Sequence, residues 1–98
     1  MPHNILTFYK LDQNYPNPFN PTTTIEYALP KSDHVRIAIY DMLGRHVCTL
    51  VDSRQLAGQF QTSWDGRDEH NIPVAAGIYF YKMQAGDFVQ VNKLAQVR

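Results

Sequence analysis

Apolar residues in this chain recur at every second position, and the three-and-four spacing of a helix persists nowhere. Thr23, Ile25, Tyr27 and Leu29 fall on one face, with Thr24, Glu26 and Ala28 on the other. Val35, Ile37 and Ile39 repeat the pattern against Arg36, Ala38 and Tyr40. Phe60, Thr62 and Trp64 form a further row, and Tyr79, Tyr81 and Met83 another, opposed by Ile78, Phe80 and Lys82. Period two is the signature of strands that bury one face. Turn signals part the runs: Asp41-Met42-Leu43-Gly44-Arg45, Asp65-Gly66 and Ala85-Gly86-Asp87. His46 to Val51 reads as the return strand of the first hairpin, and Phe88 to Val97 as the last strand. Residues 67 to 76 read as a polar loop around Pro73, and an earlier strand is expected from about Ile5 to Leu11. The fold class is therefore all-β, an antiparallel sandwich of about seven short strands. Cys48 and the neighbourhood of Lys93 break strict alternation, so a bulge is expected at one or the other. Aromatics on both faces of the Tyr79 strand make it a central strand or one whose outer face is covered.

The chain has 98 residues, one domain's worth, and 44% apolar against 18% charged residues is a globular balance. Nine basic residues match nine acidic ones, leaving no net field to attract nucleic acid. No apolar run approaches the ~18 residues of a membrane span. Cys48 is the single cysteine, so no intrachain disulfide supports the core. Met1-Pro2-His3-Asn4 reads like a cut point, and a fragment of a longer protein is one expectation.

Three asparagines and three prolines crowd into residues 14–21, just before the Thr23 strand. Pro16, Pro18 and Pro21 cannot donate to a ladder, and each drives the preceding residue toward extended backbone. Asparagine side chains can cap the groups left over. The segment is expected to be a stiff connector crossing from one sheet to the other, with Tyr15 and Phe19 as its anchors in the core edge. The resulting division is a first strand within 1–13, the connector at 14–21 and the remaining strands in 22–98.

Read in order, "LDQNYPNPFNPTTTIEYALP", "VRIAIYDMLGRHVCTLV" and "AGQFQTSWDGRDEHNIPVAAGIYFYKMQAGDFVQVNKLAQV" resemble one family. It is the C-terminal sorting domain of proteins exported by the type IX secretion system of Bacteroidetes-type bacteria. That family is related to the immunoglobulin-like domain of the flagellar hook-capping protein. The resemblance implies an immunoglobulin-like sandwich at the end of a longer cargo protein. It implies recognition by outer-membrane secretion machinery, frequent removal by a sortase-like peptidase, and a secreted or surface location reached through the periplasm. Carried over by position, the motif residues are Pro16, Asn17, Pro18, Phe19, Asp41, Gly44, Arg45, Gly77, Tyr79 and Lys93.

Each candidate also has a plainer reading. Asp41 is expected to bond the amides of its own turn, with Arg45 solvated; the alternative is a charged loop offered to a partner. Lys93 either takes part in recognition or blunts an edge strand. Asp65, Asp68, Glu69 and Asn71 carry calcium-type oxygens but lack the twelve-residue loop pattern, and a polar loop explains them, so no metal or cofactor is assigned. Ser32-Asp33-His34 names triad chemistry, yet sequence neighbours cannot converge as nucleophile, base and orienter. The four histidines fall in separate segments without ligand spacing, and Cys48 lies among apolar residues as an inert thiol does. The expectation is a non-catalytic module. Tyr9, Tyr40, Ile78 and Phe80 leave open a platform for sugar or peptide, as in a binding module appended to a secreted enzyme. A hook-cap-like assembly module is the third alternative.

Overall fold

A computed structural model describes residues 8–97, and none of these is helical. The strands are β1 (Lys10–Leu11), β2 (Thr23–Leu29), β3 (Asp33–Tyr40), β4 (His46–Gln55), β5 (Gly58–Trp64), β6 (Gly77–Ala85) and β7 (Phe88–Gln96). Of the early strand expected from Ile5 onward, Lys10–Leu11 is seen; Ile5 to Thr7 lie outside the described residues. The order is β1-β2-β5 in one sheet and β4-β3-β6-β7 in the other, every pairing antiparallel. Alternation dictates the sandwich. Ile25, Tyr27 and Leu29 of β2 bury against Val35, Ile37 and Ile39 of β3 and Tyr79, Tyr81 and Met83 of β6 in one continuous core. Trp64 of β5 meets Tyr79 of β6 edge-on, ring centroids 5.4 Å apart, and so joins the two sheets. Because β6 lies between β3 and β7, it is an interior strand, as its two-sided aromatics require.

Departures from the simple pattern are local. Ile37 pairs with Val51 but Ala38 with Thr49, and Ile39 pairs with Cys48 but Tyr40 with His46. Leu50 and Val47 are the residues passed over, and both turn to pack against the core. The irregularity expected at Cys48 is therefore a pair of bulges. None occurs at Lys93, which pairs with Phe80 in an unbroken register from Gly77↔Gln96 to Ala85↔Phe88. Phe60 and Thr62 face inward but only half-buried, because β5 is an edge strand.

The connector ties the sheets together. At its start Tyr15 exchanges backbone bonds with Thr24, donating at 3.0 Å and accepting at 2.8 Å. At its end the Phe19 N–H donates to the Ala95 carbonyl and the Val97 N–H to the Phe19 carbonyl, each at 3.0 Å. A segment leaving one sheet thus adds a parallel bridge to the last strand of the other. The Tyr15-Pro16, Asn17-Pro18 and Asn20-Pro21 peptide bonds are all cis. Phe19 is the core anchor, 1% exposed, but Tyr15 is 53% exposed, which corrects the expectation that both are plugs. Its hydroxyl reaches outward to Glu26 Oε2 at 2.7 Å instead.

A second lock sits at the opposite end. Tyr9 stacks on Phe88 with centroids 5.2 Å apart and donates its hydroxyl to Asp33 Oδ2 at 2.7 Å. That hydrogen bond holds the Asp33 carboxyl below its ordinary value and raises the Tyr9 phenol. Gly86 makes the arrangement feasible. Its φ is +58°, and a Cβ there would lie 2.6 Å from Asp33 Oδ2 and 3.3 Å from the Tyr9 hydroxyl. Gly86→Ala should lower stability by about 1 kcal/mol through the left-handed backbone alone. It should also break the Tyr9–Asp33 bond, seen as a downward move of the Tyr9 phenol in a spectrophotometric titration.

Candidate functional site

The ten motif residues do not form one site; the fold sorts them into three groups. Pro16, Asn17, Pro18 and Phe19 belong to the seam between the sheets. Asn17 Oδ1 accepts the Ala95 N–H at 2.9 Å, and the Pro16 carbonyl accepts the Thr23 hydroxyl at 2.9 Å. Pro18 is exposed, while the Phe19 ring tilts against Trp64 at 5.4 Å. Lys93 stands on the adjoining strand, its side chain exposed on the outer face and its carbonyl accepting Gln13 Nε2 at 2.8 Å.

Gly77 and Tyr79 open β6 beneath that seam. The Tyr79 hydroxyl donates back to the Ala75 carbonyl, four residues upstream, at 2.6 Å. A tyrosine near the start of a sandwich strand that bonds the backbone just before it fixes the corner where the chain enters the sheet. Trp64 Nε1 closes the neighbouring corner by donating to the Arg67 carbonyl at 2.9 Å.

Asp41, Gly44 and Arg45 make the β3–β4 turn. Asp41 Oδ1 accepts the Leu43 and Arg45 N–H groups, both at 2.9 Å, and Gly44 sits at φ +80°. Arg45 is not simply solvated: its Nε donates to Asp41 Oδ2 at 2.8 Å, although the pair is exposed enough to add little stability. The Arg45 amide first, then its guanidinium and the Leu43 amide, hold the Asp41 carboxyl below the usual range. A depressed carboxylate stabilises above its unfolded value and loses that contribution as pH falls through its folded value. The turn amides of Leu43 and Arg45 should therefore keep their chemical shifts to lower pH than an ordinary Asp carboxyl would allow, and move as the pH falls further. Asp41→Asn should abolish that acid transition in an amide-detected titration.

The acidic loop is built the same way. Asp68 Oδ1 accepts the His70 N–H at 2.8 Å and the Ile72 N–H at 3.0 Å, and Asp65 Oδ1 accepts the Arg67 N–H at 3.2 Å. Among the described residues no three His, Cys, Asp or Glu side chains converge as a metal site requires. Asp33 and His34 hold other partners, Tyr9 and Asp52 respectively. Cys48 is buried, and that burial, with Asp65, Asp68 and Glu69 nearby, pushes its thiol up to about 11. It should resist iodoacetamide in the native protein at pH 8 and react at the rate of a free thiol in denaturant.

The outer face of the four-stranded sheet is one surface on which exposed groups converge. Tyr40, Phe80 and Val91 come together there through the Tyr40↔Phe80 and Lys82↔Val91 pairings. With Met42 and Lys82 they line a shallow hollow of about 330 Å3. Lys82 Nζ lies over the Tyr40 ring, 5.6 Å from its centroid, and Arg36 donates to the Tyr40 hydroxyl at 3.0 Å. Ile78 occupies the same face, two residues along the strand from Phe80. Tyr9 does not join them, being held at the far lock by Phe88. Sequence reasoning missed Met42 and Val91, and the cross-strand register was the signal it lacked. It also missed Asn14, 2% exposed, whose amide and side chain bond Tyr81 and Thr23.

A sequence profile described as the FlgD Ig-like domain matches residues 19–87. The chain belongs to the FlgD Ig-like domain family. Among solved structures, FlgD from P. aeruginosa is 27% identical with a TM-score of 0.60, covering 76% of this chain and 57% of its own. FlgD from Xanthomonas campestris, described with hook capping essential for flagellar assembly, is 24% identical with a TM-score of 0.62, covering 89% and 64%. The same Ig-like fold recurs in dimeric latent PorU from Porphyromonas gingivalis, with a TM-score of 0.72 at 18% identity over 94% of this chain. It recurs too in PorZ of that organism, described as an essential surface component of the type IX secretion system (TM-score 0.62, 22% identity, 88% of this chain). The chain spans about a tenth of PorU and PorZ, 10% and 11%. A search of curated proteins finds no match. No helix among the described residues is long and apolar enough to cross a membrane.

Proposed function

We propose that this FlgD Ig-like domain is a non-catalytic sorting module, the C-terminal part of a longer protein that it directs through the type IX secretion system. The reading is carried by the ordered motif set from Pro16 to Lys93, whose connector residues bond directly to the end of the last strand. A full domain of matching shape in PorU and in the surface component PorZ supports it. Recognition would use loops, an edge and a sheet face. The partners would be outer-membrane secretion machinery and a sortase-like peptidase, with the product secreted or at the surface. Fusing residues 1–98 to the C-terminus of a periplasmic reporter, in a bacterium with that system, should move the reporter outside the cell. A fusion that is folded and stable yet stays periplasmic overturns the proposal.

The family match to FlgD favours one second reading, a hook-cap-like assembly module. That module would self-associate. Analytical ultracentrifugation at rising concentration should show oligomers under that reading and a monomer under sorting.

A further inference from the structure

The two outer faces of the sandwich differ in kind. That of β1-β2-β5 is polar and nearly neutral, carrying Thr24, Glu26, Gln59, Gln61 and Ser63. The outer face of β4-β3-β6-β7 carries Tyr40, Phe80, Val89 and Val91, with Arg36, Arg54, Lys82 and Lys93 among them. Its only sheet carboxylate by register is Asp52, held by His34. Four of the chain's nine Lys and Arg residues thus lie on this one sheet face, against that single carboxylate. Val89, Val91 and Met42 are 56%, 52% and 69% exposed there, although β-branched and thioether side chains gain nothing from water. Ala38 lies at the centre of this face yet is wholly buried, roofed by Arg36 as it reaches across to the Tyr40 hydroxyl.

Resting on the sorting reading, we infer that this face is the docking surface of the module. Its partner is an acidic protein surface that sets one apolar side chain into the hollow between Tyr40, Met42, Phe80 and Val91. The charge distribution selects that partner: carboxylates would meet Lys82, Lys93 and Arg54, and like charges would be turned away. A half-buried aromatic with aliphatic neighbours at the centre and cations at the rim is the arrangement in which a few residues dominate binding. A sugar platform needs free ring faces, whereas Lys82 already lies over Tyr40 and Phe80 stands half within the sheet. Asp41 and Gly44 line the same hollow, which gives the β3–β4 turn a place at the interface.

The test uses the reporter fusion. Lys82→Glu with Lys93→Glu reverses charge at surface positions, and Val91→Asp spoils the hollow. Gln59→Glu with Gln61→Glu makes the matching change on the polar face. Thermal melting must first show all variants folded. The expected result is a tenfold or greater loss of exported reporter for each change on the cationic face, none for the control, and wild-type export that weakens in high salt. Folded charge-reversed modules exported as well as wild type overturn the inference and leave the sorting role standing. Wild-type fusion that is never exported removes the sorting role itself. A glycan-array signal abolished by Phe80→Ala, with export intact, would assign the face to sugar and overturn the inference. A dimer in ultracentrifugation that Val91→Asp dissociates, with export intact, would assign it to a second copy, with the same consequence.

Discussion

Phe19→Ala should remove roughly 3–5 kcal/mol of stability and lower the melting temperature by an amount on the order of 15–30 °C. Phe19 is 1% exposed and lies against Trp64 at 5.4 Å, where the connector puts an aromatic ring into the apolar core. Alanine keeps both backbone bonds to β7, from Phe19 N–H to Ala95 and from Val97 N–H to Phe19. The loss therefore reports the ring, the cavity it leaves and the freed Trp64. Trp64 is the only tryptophan, so its emission should shift to longer wavelength in the variant even before unfolding. Tyr15→Ala, at the other end of the same connector, should change stability by less than about 1 kcal/mol, because the ring it removes is half in solvent. Equal losses at the two positions would mean that the connector is held by its backbone and not by the Phe19 side chain. Chemical denaturation of both variants decides between these.

The same contrast between Tyr15 and Phe19 marks how far the residues alone could be read. Alternation in β2, β3 and β6 was legible because the buried face of each strand carries three consecutive large apolar side chains. The irregularity at Cys48 was legible for the complementary reason, that Val47, Cys48 and Leu50 cannot all face inward without a bulge. At Lys93 the broken alternation misled, since Asn92 and Gln90 face inward as polar partners for the carbonyls of Leu11 and Asp12. An inward asparagine looks like an outward one until the segment across from it is known. Tyr15 and Phe19 likewise differ only in what lies opposite: solvent and Glu26 for one, Trp64 and β7 for the other. The face gathering Tyr40, Phe80, Met42 and Val91 depends on β6 lying between β3 and β7, a long-range pairing that no local period encodes. Tyr40 and Phe80 were thus visible singly, and their company was not.

Tyr81→Phe should cost roughly 2–3 kcal/mol although it removes a single oxygen. Tyr81 has no exposed surface, and its hydroxyl is the hub that joins the N-terminal segment to the core. It donates to the Asp12 carbonyl at 2.6 Å and accepts the Asn14 N–H at 2.8 Å and Asn92 Nδ2 at 3.1 Å. After the substitution Asn92 still reaches the Asp12 and Leu11 carbonyls, but the buried Asn14 amide has no acceptor. Burial, the main reason that the Tyr81 phenol titrates above its ordinary value, also keeps water from replacing the lost oxygen. Amide exchange should show the effect in one place first: Asn14, protected in the wild type, should exchange many times faster, while Ile37 and Met83 in the central strands follow only the global change. Tyr40→Phe is the matched control, since among the described residues its hydroxyl meets only Arg36, on the outer face, and it should stay within about 0.5 kcal/mol. Should Tyr81→Phe prove as mild as Tyr40→Phe, water must reach the hub, and the connector would be looser than its hydrogen bonds require. Export of a reporter carrying Tyr81→Phe, assayed at a temperature where the domain remains folded, then asks whether the machinery needs that stiffness or only the surface it supports.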